Sequence, residues 1–269
     1  MGGNFEVMFL GTNGSCSFNN RMRARYGTNT SCAAVRAGGD SVVFDAGSGI
    51  CGYKDLENFR DKRINLFISH YHADHINGFL FWKALFNPKL SVGIYGKGSV
   101  KDMLDLSLAP PFCPVGSDVF RANIQFICLN PGGGEIIRLD NGATVSTVCL
   151  NHPGGALGYR LDYGGKSVCY MTDVELGETD ADEKTAAFAK NADLIISDCA
   201  FEDGKQIPGW GHSTPKQCAA LAKRAQAKRL ALYHYGFGMT DSDIDALEKS
   251  AKEIFADTFA SADGMKVDI

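Results

Sequence analysis

Six histidines occur in the 269 residues, and three of them crowd into His70-Tyr71-His72-Ala73-Asp74-His75. An apolar run over 64–69 leads straight into this hexapeptide. In extended backbone, residues i and i+2 share a face, so His70 and His72 can converge on one metal ion. Asp74 and His75 lie past the turn, where they can reach a second ion beside the first. Neutral imidazole and carboxylate are ordinary ligands for zinc and similar ions. A polar loop of solvated histidines is the competing reading. It leaves the strand-end position and the downstream partners unexplained. Those partners are His152 after the run 143–150, Asp173 after 167–171 and His234 after 230–233. Strand ends are where α/β proteins gather site residues. Each partner alone reads as structural; the set reads as a metal site. Metal-bound histidines need outer acceptors, and Asp45, at the end of 41–45, is a candidate. Its rival role is to form the turn Asp45-Ala46-Gly47-Ser48-Gly49.

The elements that must position these residues follow from hydrophobic pattern and turn residues. Strands are expected at 5–10, 32–37 and 41–45, the last two as a hairpin. Further strands are expected at 64–69, 91–95, 124–129, 135–139, 143–150, 157–163, 167–171, 194–197 and 230–233. Helices are expected at about 75–86, where Asn87-Pro88 stops the pattern, and at 99–108. Ser213-Thr214-Pro215 starts another by a hydroxyl cap with proline in the first turn, running to about 227. A last helix covers 241–256, capped by Asp241 or Ser242. Hairpins mixed with alternating strands and helices indicate an α/β chain whose sheet is not purely parallel.

Composition bounds the function. Hydrophobic residues make up 45% and charged residues 22%, ordinary for a globular protein, and the length suits one domain over 1–269. With 27 basic and 31 acidic residues the net charge is −4, so no global positive field gathers nucleic acid. No apolar run reaches the ~20 residues of a membrane helix, and the N-terminus carries no secretion pattern. The nine cysteines form no CxxC pair, which argues against a disulfide framework and for the cytoplasm. Gly11-Thr12-Asn13-Gly14-Ser15 lacks a GxGxxG pattern and a following helix, so it reads as a turn beside the metal site. Arg21, Arg23 and Arg25 form a basic cluster on a loop. It is either a solvated face or a place to capture a phosphate or a second copy in a homodimer. Phe112, among prolines, either packs on the surface or lines the pocket.

The set His-x-His-x-Asp-His with His152, Asp173 and His234 resembles the metallo-β-lactamase superfamily, over nearly the whole chain from Asp45 to His234. The resemblance implies a four-layer αββα sandwich of two mixed sheets with outer helices. It implies that His70, His72 and His152 hold one divalent ion, that Asp74, His75 and His234 hold a second, and that Asp173 bridges them. Zinc suits these ligands best, with manganese or iron as alternatives. Two such ions about 3.5–4 Å apart hold a bridging hydroxide at neutral pH, which points to hydrolysis. The redox variant of the fold has glutamate where His72 stands here, so an oxidoreductase is disfavoured.

The sixth histidine narrows the branch. His212 in Gly209-Trp210-Gly211-His212-Ser213-Thr214 can protonate the leaving oxygen of a phosphodiester, and Asp198 can orient it. Their plainer readings are a helix-capping or loop residue and a strand-end turn residue. The candidate catalytic set is His212, Asp198 and Asp74, the last shared with the second ion. The Gly-His-Ser-Thr element is similar to the ribonuclease Z branch and to smaller cyclic phosphodiesterases. Two departures matter. Only 20 residues separate His152 from Asp173, too few for the tRNA-gripping arm of the bacterial enzymes. Cys16 and Cys32 have no third cysteine nearby to build a structural zinc site. The expected substrate is therefore a small or cyclic phosphodiester rather than structured RNA, with no membrane partner. Cleavage of RNA ends is the alternative, and a non-catalytic metal-binding protein on the same scaffold is another.

Overall fold

A computed structural model describes residues 5–18, 21–38, 40–52, 63–177 and 179–269. Six strands of the first half are β1 (Phe5–Gly11), β2 (Cys32–Ala37), β3 (Asp40–Phe44), β4 (Arg63–Phe67), β5 (Ser91–Lys97) and β6 (Asn123–Leu129). The second half supplies β7 (Gly133–Arg138), β8 (Thr144–Leu150), β9 (Ala156–Tyr163), β10 (Lys166–Met171), β11 (Leu194–Asp198), β12 (Leu230–Tyr233) and β13 (Thr258–Ala260). The last strand, β14 (Lys266–Asp268), returns to the first sheet beside β1. Among the described residues the two sheets run β14-β1-β2-β3-β4-β5-β6 and β13-β12-β11-β10-β9-β8-β7. Each begins with antiparallel pairs and continues with parallel ones, from β3 to β6 and from β10 to β13.

Side-chain alternation explains the layers. Phe9, Val35, Phe44 and Phe67 from one sheet meet Tyr159, Tyr170, Ile196 and Tyr233 from the other in a central core. Phe44 stacks on Tyr170 with ring centroids 5.0 Å apart. The opposite strand faces are covered by helices. The outer face of the first sheet packs with α1 (Ala73–Ile76), α2 (Val100–Ser107) and the turns around Trp82. The outer face of the second packs with α3 (Asp180–Phe188), α4 (Pro215–Arg224) and α5 (Asp241–Lys252). The result is the expected αββα sandwich. All nine cysteines are unpaired.

The helix expected over 75–86 is instead one turn, α1, followed by 3-10 turns at Phe79–Phe81 and Lys83–Phe86. Gly78 explains the break. Its N–H donates to the Ala46 carbonyl at 2.9 Å rather than back into the helix. A Cβ there would lie 2.2 Å from the Gly47 carbonyl oxygen, so the segment is pinned to the Asp45 turn. The last helix ends at Lys252 and starts from Thr240, whose hydroxyl accepts the Asp243 N–H. Helix α3, β13 and β14 were not expected from pattern; α3 carries a weak signal, Thr179 with Asp182 three residues on. The hairpin β9–β10 closes tightly at Gly164-Gly165, so no arm emerges between His152 and Asp173.

Candidate metal centre

Parallel pairing brings one kind of strand end to one edge. The chain leaves β3 at Asp45, β4 at Ser69-His70, β8 at His152, β10 at Asp173, β11 at Asp198 and β12 at His234. Helix α1 then presents Asp74 and His75 from its single turn. Asp45, Asp173 and His234 take left-handed backbone, with φ of +58°, +59° and +55°. Such residues cost on the order of 1–3 kcal/mol each and persist where surroundings dictate them.

Two groups of donor atoms form. In the first, His152 Nε2 lies 3.2 Å from His72 Nδ1 and 3.6 Å from Asp173 Oδ2. His70 Nε2 lies 3.5 Å from the same oxygen. In the second, His75 Nε2 and His234 Nε2 are 3.2 Å apart, with Asp74 Oδ2 at 3.5 and 3.1 Å from them. The other oxygen of Asp173, Oδ1, lies 3.4 Å from His75 Nε2 and 3.2 Å from His234 Nε2. Asp173 thus stands between the groups with one oxygen toward each. All seven residues except His72 are buried.

The proton inventory tests whether cations fit. His75 Nδ1 meets the Asp45 carboxylate at 2.8 Å, and His152 Nδ1 meets the Gly211 carbonyl at 2.9 Å. Both partners only accept, so each Nδ1 carries a proton, which leaves Nε2 as the nitrogen able to face a cation. These Nε2 atoms lie beside other imidazoles and two carboxylates, while the buried His70 Nε2 has no hydrogen-bond partner among the described residues. Burial opposes a charge on His75, yet Asp173, Asp45 and Asp74 push its pKa well above the ordinary imidazole value, and a divalent cation can take the place of that proton among the same atoms. The donor set of imidazoles and carboxylates suits zinc and similar ions. Burial alone would raise the Asp74 and Asp173 pKa values. Nearby imidazoles instead hold both well below the usual carboxylate range, His75 leading for Asp74 and His234 for Asp173. Burial pushes His70 well below the ordinary imidazole value, and His75 adds to that.

A surrounding shell fixes these rings. Asp45 also accepts Ser69 N–H at 2.7 Å, Ser69 Oγ at 2.8 Å and Tyr170 Oη at 2.9 Å. Its acceptor role thus accompanies its position in the turn. Ser15 N–H donates to Asp74 Oδ2 at 2.8 Å, and a Cβ on Gly14 would lie 2.6 Å from the His234 ring. The 11–15 turn is therefore beside the cluster, as expected. Sequence reading missed Glu175. Its carboxylate accepts the N–H groups of Gly209 and Gly211, both at 2.8 Å, and so holds the strip before His212. Its position two residues after Asp173 was the available signal.

His212 Nδ1 lies 2.8 Å from Asp198 Oδ2, and the His212 ring stacks on His234 at 5.2 Å. Asp198 is fully buried and also accepts the Val174 and Ala200 N–H groups. Burial would lower the His212 pKa, but the charge and hydrogen bond of Asp198 push it up to about 9. Asp173, Asp198, His212 and His234 also converge as a third donor group. A pocket of about 460 Å³ opens over His212 and His234. Another of about 420 Å³, bordered by Asp182, Lys216 and Arg224, contains none of the histidines. The basic cluster divides. Arg23 is buried with its guanidinium over the Phe18 and Tyr235 rings, and Arg25 pairs with Asp245. Phe112 stands 81% exposed and does not border the pocket.

Comparison with known proteins agrees with this geometry. The chain is 26% identical to a ribonuclease Z of Methanosarcina acetivorans, over 98% of each chain. Among solved structures it matches the metallo-beta-lactamase fold protein YhfI from Bacillus subtilis, at 22% identity and a TM-score of 0.75 over 99% of this chain and 100% of that one. A diphosphatase from the PhnP family matches at 19% identity and a TM-score of 0.71, over 100% and 98%. The family model described as "Beta-lactamase superfamily domain" covers residues 41–235, spanning every strand end from Asp45 to His234; the chain belongs to that superfamily.

Proposed function

We propose that this protein is a dinuclear metal-dependent phosphodiesterase, acting in the cytoplasm on a small or cyclic phosphodiester. One observation carries the reading: the buried Asp198 holds His212 at 2.8 Å, directly beside the donor cluster and under the pocket. A proton donor held beside the cluster is what expulsion of an alkoxide from phosphorus needs.

In this reading His70, His72 and His152 would hold one ion, Asp74, His75 and His234 would hold the other, and Asp173 faces both donor groups. Bound divalent ions supply polarisation of the phosphoryl group and a nucleophile at neutral pH. Asp45 keeps the proton of His75 on Nδ1, and the Gly211 carbonyl does the same for His152. With Nδ1 committed to Asp198, His212 delivers its Nε2 proton to the leaving oxygen as the P–O bond breaks. The oxygen of water becomes bonded to phosphorus in exchange, so a linear diester gives a phosphomonoester and an alcohol, and a cyclic one opens to a single phosphomonoester bearing a hydroxyl.

A second reading, processing of RNA ends, is favoured by the ribonuclease Z relative. Its alignment runs to 310 positions against a chain of 269 residues, so at least 41 positions have no counterpart here. The tight β9–β10 turn and the net charge of −4 weigh toward a small substrate. The test is turnover of bis-p-nitrophenyl phosphate beside a β-lactam, a lactone and a precursor tRNA. Selective turnover of the diester is expected. Faster cleavage of the tRNA, with steep salt dependence, would replace this reading with the second; inertness toward every substrate would leave a non-catalytic metal protein.

A further inference from the structure

The pocket over His212 has a character that the hydrolytic machinery does not require. Trp210 and Phe237 border it, and they are 60% and 62% exposed. Large aromatic surfaces left to water at a pocket mouth are costly unless something covers them. Trp210 is not on a loose loop. It sits between Gly209 and Gly211, whose N–H groups are both held by Glu175. Its ring lies 6.5 Å from Phe201, and Phe201 lies 6.1 Å from His212. A run of rings thus leads from the mouth to the proton donor. On the Phe237 side, Phe18 packs edge-on at 5.3 Å and fixes that ring.

Charge supplies the second half of the argument. The described residues bordering the pocket include Glu202 and Asp243 and no lysine or arginine. Asp243 accepts the Thr240 N–H and hydroxyl, which hold its pKa below the ordinary value. A chain of phosphates leaving the metal site through this mouth would meet Asp243 and Glu202, and the Lys205 beside Glu202 is already paired with it at 2.8 Å. A flat, uncharged ring would meet Trp210 and Phe237.

We infer that the pocket takes a compact phosphodiester with a single phosphate and a planar aromatic group, a nucleobase or an aryl ring, stacked on Trp210 with Phe237 opposite. The assignment rests on the phosphodiesterase reading and adds the part of the substrate beyond phosphorus. Stacking of a base on an aromatic side chain is sequence-tolerant, so it selects for a ring rather than for one base.

The test compares kcat/KM for adenosine 2′,3′-cyclic phosphate and for glycerol cyclic phosphate, using metal-replete protein. Wild type should prefer the adenosine diester, and Trp210→Ala should lower that preference about tenfold, through KM, with Trp210→Phe restoring most of it. The second readout is fluorescence. The chain has two tryptophans, and Trp82 is buried at 2% exposure. In Trp82→Phe, adenosine 3′-monophosphate should quench Trp210, and glycerol phosphate should not. Equal quenching by both, or no quenching together with equal kcat/KM, overturns the stacking assignment while leaving the phosphodiesterase reading intact. Absence of turnover with both diesters and with bis-p-nitrophenyl phosphate overturns that reading, and the quenching result still decides whether a ring stacks.

Discussion

A Cβ on Gly211 would stand 2.1 Å from Nδ1 of His152, closer than any real contact permits. The glycine also has φ of +81°, and its carbonyl accepts that same nitrogen's proton. One backbone position therefore orients a proposed metal ligand while carrying the residue before His212. Gly211→Ala should weaken metal binding about 10–100-fold, the usual cost of losing an outer partner of a ligating histidine. Glu175→Gln should act in the same direction but more mildly, since the amide can still accept one of the two N–H groups. Titration against a competing chelator checks both. Unchanged affinity in Gly211→Ala would show that His152 does not depend on this contact.

His212→Ala should reduce kcat by about 10²–10⁴-fold on a diester with an alkoxide leaving group. The loss should be smaller on bis-p-nitrophenyl phosphate, whose leaving group departs without a proton. Metal content should stay near wild type. Loss of an ion with the ring would instead assign His212 to the third donor group, with Asp173, Asp198 and His234.

Asp198 sets a pH dependence. The proton donor works in its protonated form, so kcat should fall as pH rises through the His212 pKa. Asp198 pushes that value up to about 9, so wild type should stay active into mildly alkaline solution. Asp198→Asn removes the charge, lowers the His212 pKa and should move the alkaline limb toward the ordinary value of about 6.5. A limb that does not move would mean that His212 is not the titrating acid.

Removing divalent ions with a chelator should abolish turnover and lower the melting temperature, because ions that bind only the folded chain stabilise it. Elemental analysis of the active protein should find about two ions per chain, the number expected for a dinuclear site. Asp173→Ala should lose both, because its oxygens face both donor groups. Retention of one full equivalent would show that one group binds without it.

Asp45→Ala leaves Ser69, His75 and Tyr170 without their shared acceptor at a fully buried position. Breaking such a network costs about 3–5 kcal/mol. For a chain of this size that corresponds to a drop of roughly 5–9 °C in melting temperature. Thermal unfolding of the chelator-treated protein separates this loss from loss of metal.

The layer order of the fold came only with the family resemblance, while residue types and spacing by themselves carried the candidate donor residues and the strand ends that bear them. This is because apolar runs bounded by turns mark strands locally, and histidines directly after them are unlikely companions of ordinary surface loops. Glycine in the Gly11–Ser15 turn was legible for the same local reason. Tertiary structure alone decided what depends on contacts between distant segments. It turned each Asp173 oxygen toward a different group, tied Gly209 and Gly211 to Glu175, and buried Arg23 where the sequence showed only a basic cluster. It also broke the helix expected at 75–86, because Gly78 donates its N–H to Ala46, 32 positions earlier in the chain. Local pattern reports which face of an element is apolar; the partner that face or that N–H meets is settled only when the sheets pack.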